Sequence, residues 1–182
     1  MLMMCIETMT VALLVATYFY TAQKYGHWPP PSVHRLPPIE KPIPDPTYGS
    51  WLVGLLVFAT IPMIWADRAA HRLEQFGTVV GMSIGTIAGI AAIVLRFYEF
   101  SAVKFLWDEN AYSSIVWGML VLHLFYLILE VAEAGIDVLW VAIYGLDEKL
   151  ADDVTLSTGY WYWTVAIALV FYLVIYWAPY IL

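Results

Sequence analysis

Five apolar runs, at about Met3–Ala22, Tyr48–Ala66, Gly77–Phe97, Tyr112–Ala134 and Thr158–Leu182, divide this 182-residue chain. Each approaches the ~20 residues that a helix needs to cross the hydrocarbon of a bilayer. No water is available there, so a spanning segment must satisfy its own backbone N–H and C=O groups, as a helix does. The runs therefore predict an all-α fold: a polytopic membrane bundle of five transmembrane helices in a single domain, with spans 3–22, 48–66, 77–97, 112–134 and 158–182. Composition points the same way, with 62% apolar and 13% charged residues against about 45–50% and about 25% in soluble domains. A soluble enzyme is excluded. The net charge of −7 argues against nucleic acid as a partner. A lone Cys5 allows no internal disulfide, and no CxxC or CxxCH offers a metal or c-type haem attachment. The first run carries Glu7, lacks a basic leading region and has no small-x-small cleavage pattern, so it reads as a retained span.

Between the first two runs, Gly26–Pro46 holds eight of the ten prolines. That density fixes an extended backbone, expected to lie as a stiff strap across the membrane surface. Pro62, inside the second run, is expected to kink or end that helix locally. Basic residues number three on the N-terminal side (Arg68, Arg72, Lys149) and five on the other (Lys24, Arg35, Lys41, Arg96, Lys104). By the positive-inside rule this small difference favours an outside N-terminus.

Polar residues inside the runs are the candidates for function, because a charge in hydrocarbon is costly and needs a partner. Glu7 lies two turns into the first run. Either it faces protein, a water-filled cavity or a proton route, or the helix starts late and leaves it at the headgroups. Arg96 and Glu99 are spaced to pair on one helical face. Glu99 has the alternative of a polar group on a neighbouring helix. His123, Tyr126, Glu130, Glu133 and Asp137 follow intervals of three and four and so share one stripe of the fourth helix. Either the stripe faces something polar, with Glu130 and Glu133 sharing a proton or cation, or its last turns emerge and only Glu130 is buried. One metal held by His123 and Glu130 is not expected, since two turns separate them by ~10 Å. Gly77, Gly81, Gly85 and Gly89 form a small-residue stripe suited to close helix packing, within the bundle or against another subunit or lipid. The aromatics at Tyr160–Trp163 and at Tyr172, Tyr176, Trp177 and Tyr180 read as two interfacial belts. Asp147, Glu148, Asp152 and Asp153 read as a solvated acidic loop.

In chain order these features resemble subunit III of haem-copper respiratory oxidases in its five-helix form. Glu7 is followed after eleven residues by Tyr18-Phe19 and after twenty-one by Trp28-Pro29-Pro30. Glu99 precedes Tyr112-Ser113-Ser114, and His123 follows that tyrosine by eleven residues. Tyr160-Trp161 is followed, sixteen residues after Trp161, by Trp177. The chain departs from the family at Tyr126 and Tyr162, where histidines are usual, at Val165, where an aspartate is usual, and at Glu130, usually small and apolar.

The resemblance implies a subunit without catalytic residues, metal or cofactor of its own, packed beside a catalytic subunit that holds the haems and copper, together with other oxidase subunits. It implies phospholipid binding and support of proton uptake and active-site durability. Glu7 would be the membrane carboxylate at the proton-uptake side, Glu99 and His123 a polar pair between two helices, and the N-terminus cytoplasmic, against the charge count. Tyr126, Glu130, Glu133 and Asp137 have no counterpart in it. The accessory subunit of some nitric oxide reductases is a related alternative. A stand-alone ion-binding or transport bundle using Glu130, Glu133 and His123 is a more distant one.

Overall fold

The computed structural model describes residues 2–32 and 39–182. Five helices run through it: α1 (Leu2–Ala22), α2 (Pro46–Ala70), α3 (Gln75–Ala102), α4 (Ala111–Tyr144) and α5 (Glu148–Tyr172), the last continuing as a π turn (Leu173–Trp177) and a 3-10 turn (Ala178–Tyr180). All five are long and apolar enough to cross a membrane, and the chain is an integral membrane protein. Helices α2, α3, α4 and α5 close a ring in which each packs on the next, and α1 lies outside it along α4 and α5. The ring puts Leu52, Leu56, Met63, Leu127 and Trp161 out of contact with solvent or lipid, while side chains such as Met9, Phe58, Phe76 and Ile87 point outward.

The glycine stripe of α3 is an internal seam. A Cβ on Gly81 would stand 2.7 Å from the Pro62 carbonyl oxygen and 2.9 Å from the Ala66 Cβ. Gly77 faces Ala69 and Gly85 faces Met63 in the same way, whereas Gly89 opens onto Val131 of α4 and Trp161 of α5. Without side chains on that face, α2 and α3 approach backbone to backbone, the contact on which helix association in lipid rests. Pro62 sits in this seam and α2 continues through it to Ala70.

Polar caps place the helix ends. The Asp45 carboxylate accepts from the Thr47 hydroxyl and backbone N–H at the start of α2, which holds it below the usual carboxylate range. Asn110 accepts from the Ser113 N–H to start α4. Gly145, at φ 84°, ends α4 in a backbone conformation that favours glycine, and Asp147 accepts from the Leu150 N–H to open α5.

These caps correct three expectations. Helices α4 and α5 extend about ten residues beyond the apolar runs, to Tyr144 and from Glu148. The supposed acidic loop is thus the first turns of α5, where acidic side chains complement the partial positive charge of the helix N-terminus. Position 160 then lies three turns into α5, so Tyr160 and Trp161 are buried in the bundle instead of forming a belt, as is Tyr176. Arg96 is also buried within α3, which leaves four loop cations against three and halves the bias in the charge count.

In the proline-rich segment, positions 33–38 lie outside the described residues. On either side of them Ser32 and Ile39 make an isolated antiparallel bridge, and the Ser32 hydroxyl donates to Glu109. Trp28 is buried edge-on against Tyr18 of α1 and Tyr112 of α4. The described parts of the segment therefore pack onto one end of the bundle.

Candidate functional site

Two buried polar clusters occupy opposite halves of the bundle. In the half near the C-terminus of α3, Arg96 and Glu99 lie one turn apart and pair through Arg96 Nη1 and Glu99 Oε2 at 2.5 Å. The other guanidinium nitrogen, Nη2, stands 2.9 Å from His123 Nδ1 on α4. Arginine can only donate, so Nδ1 is the acceptor and Nε2 carries the proton of a neutral imidazole. That Nε2–H points to the Thr164 carbonyl of α5 at 3.3 Å. The second oxygen of Glu99 accepts from the Tyr176 hydroxyl at 2.5 Å. Gly49 of α2 leaves the space that the Tyr176 ring fills, since a Cβ there would lie 2.7 Å from it. Four elements of the bundle thus meet on one cation, one carboxylate and one neutral ring.

The other half contains acids. Glu7 is buried and projects from the second turn of α1. Its Oε1 accepts from the Tyr160 hydroxyl of α5 at 2.9 Å, and its Oε2 has no partner among the described residues. One turn along, the Trp163 indole N–H donates to Thr8, a second tie between α1 and α5. Glu130 on α4 is 0% exposed, and neither of its carboxyl oxygens has a hydrogen-bond partner among the described residues. Glu133 is exposed, and Asp137 is half-buried with one unpartnered oxygen. Tyr126, buried, packs its ring on Trp163 at 5.2 Å. A cleft of about 500 Å³ between α1, α4 and α5 is lined by Met3, Met4, Leu129, Glu133, Asp137 and Tyr160.

The structure therefore splits the α4 stripe. His123 belongs to the Arg96 cluster with both ring nitrogens engaged, and it is not brought to Glu130. The carboxyls on the later turns belong with Glu7. Glu99 and His123 do not touch each other; Arg96 stands between them. No group of three or more His, Cys, Asp or Glu side chains among the described residues has the arrangement of a metal site.

Tyr160 and Tyr176, which the sequence placed in interfacial belts, complete these clusters together with the Thr164 carbonyl, which the sequence does not mark. The available signal was indirect: Glu7, within the first apolar run, and Glu99, two residues past the third, each require a donor. Comparison with known protein families and with curated proteins finds no match to this chain.

Proposed function

We propose that this chain is a non-catalytic accessory subunit of a respiratory haem-copper oxidase, packed beside a catalytic subunit that holds the haems and copper. One observation supports the reading. Residues that carry the resemblance from separate parts of the chain meet in contact: Tyr18 and Trp28 with Tyr112, and Glu7 with Tyr160. On this reading Glu7 lies at the proton-uptake side with a cytoplasmic N-terminus, and phospholipids fill grooves between the helices. The outward apolar face, including Met9, Leu13, Phe58 and Ile87, is apolar enough to meet lipid or other oxidase subunits.

A mild-detergent purification of the chain from its native membrane tests this reading. A haem-copper polypeptide in the eluate, with its reduced-minus-oxidised spectrum, is the expected result. A colourless eluate containing this chain alone would overturn it. Tyr126 and Tyr162, where the oxidase family carries histidine, favour a second reading as the accessory subunit of a nitric oxide reductase. A haem partner with non-haem iron and no copper would select it. In either complex, Glu7→Gln is expected to slow proton-coupled turnover or shorten the working life of the enzyme without loss of haem. Unchanged turnover and lifetime would assign Glu7 a purely structural part.

A further inference from the structure

The cleft beside Glu133 adjoins another at Ile136 and Asp137. A second cleft, of about 510 Å³, lies at the junction of α4 and α5 and is lined by residues including Asp137, Trp140, Asp147, Lys149 and Asp153. The two share Ile136 and Asp137. Together they form one acid-lined groove, running from the exposed turn at Gly145–Asp147 into the span. Lys149 stands at its mouth, and no other Lys or Arg lines either cleft.

Behind the groove, one turn along α4 from the Glu133 that lines it, lies Glu130, which itself lines neither cleft. Glu130 is fully buried and both of its oxygens are without partners. Its charged neighbours are Glu133 and Asp137, one and two turns along α4, with Tyr160 facing it from α5. On the α1 side, Glu7 accepts from that tyrosine's hydroxyl. From α3 no free cation reaches Glu130, because Arg96 is committed to Glu99 and His123. An ionised carboxylate with no counter-charge and no hydrogen bond is strongly disfavoured in such surroundings, whereas the neutral acid is tolerated. A neutral acid in mid-membrane needs a path by which its proton arrives. The groove brings carboxyls to within one helical turn of it, at Glu133.

We propose that Glu130 is a proton-binding site within the membrane, loaded from the N-terminal side of the bundle along Asp153, Asp137 and Glu133. In the loading step a water-derived proton adds to the Glu130 carboxylate, and no covalent bond other than O–H forms or breaks. The inference stands apart from the accessory-subunit reading, because it concerns the chain by itself.

Infrared spectroscopy of the purified chain in lipid bilayers at neutral pH tests it. The wild-type protein shows the C=O stretch of a neutral carboxyl, and Glu130→Gln removes that absorption. Glu130→Asp, which keeps the carboxyl, shifts the absorption without loss and covers the case in which the glutamine variant does not fold. On transfer to deuterated water the absorption moves down promptly in the wild-type protein, and slowly once Asp137→Leu and Glu133→Leu are combined. If Glu130→Gln removes no neutral-carboxyl absorption, the site is overturned. If exchange is equally fast in the double variant, the route is overturned. Neither result bears on whether a haem partner co-purifies.

Discussion

The two polar clusters differ less in burial than in bookkeeping of charge. Around Arg96, each acceptor faces a donor: guanidinium to carboxylate, guanidinium to imidazole, imidazole to carbonyl, phenol to carboxylate; what is left over there is a donor, Arg96 Nε, and no carboxyl oxygen. Around Glu130, carboxyls outnumber donors, and several oxygens have none. The first arrangement is one that a bundle keeps for stability of form, since a buried pair holds its helices in one register and is costly to break. The second costs the fold and returns no contact, which is why we look to it for a task. Burial alone does not separate structure from function here. Whether each buried carboxyl oxygen has a donor does.

The sharpest way to break the comparison is Arg96→Met. It strips both Glu99 and His123 of their partner at once, and a loss of about 3–5 kcal/mol is expected, read as the unfolding midpoint by circular dichroism in detergent. Stability close to wild type would mean that the cluster is not the fastening it resembles. Next come the two tyrosines. Tyr176→Phe removes a donor from an ionised carboxylate and should cost about 1.5–3 kcal/mol, whereas Tyr160→Phe removes one from Glu7 and should cost about 0.5–1.5 kcal/mol if that carboxyl is neutral. Equal losses in the same unfolding assay would show that Glu7 is charged, and would narrow the contrast between the clusters. The smallest effect belongs to Glu130→Leu, expected to change stability by less than about 1 kcal/mol and toward greater stability, because an unpartnered polar group gives way to an apolar one. A loss as large as that of Arg96→Met would reveal a partner for Glu130 and remove the distinction.

Much of the architecture was legible because hydrocarbon imposes a length and a composition that any reader of the chain can see. The five spans, the Arg96–Glu99 pair and the suitability of the Gly77–Gly89 stripe for packing all follow from local spacing. Hydropathy marks the slab, however, and not the helix. It missed the last ten residues of α4 and the first ten of α5, although Gly145 and Asp147 were the stop and start signals that would have placed both ends. The clusters were legible only in halves. Spacing along α4 put His123 and Glu130 on one stripe, but it carried no information on what α1, α3 and α5 present to that stripe. Tyr160 and Glu7 are 153 residues apart, and nothing local links them.

The turn at Leu173–Trp177 has a further consequence. A π turn holds one residue more than the α-helical turn it replaces, so it acts as a spacer in the angular sense. Each residue of an α-helix advances the side-chain direction by about 100°. Removing one residue ahead of Tyr176 in this turn, from Leu173 to Ile175, would leave its composition nearly unchanged and yet swing Tyr176 away from Glu99 and toward the outside of the bundle. At this point the protein is less sensitive to which residues it carries than to how many: the C-terminal end of the chain is keyed by count.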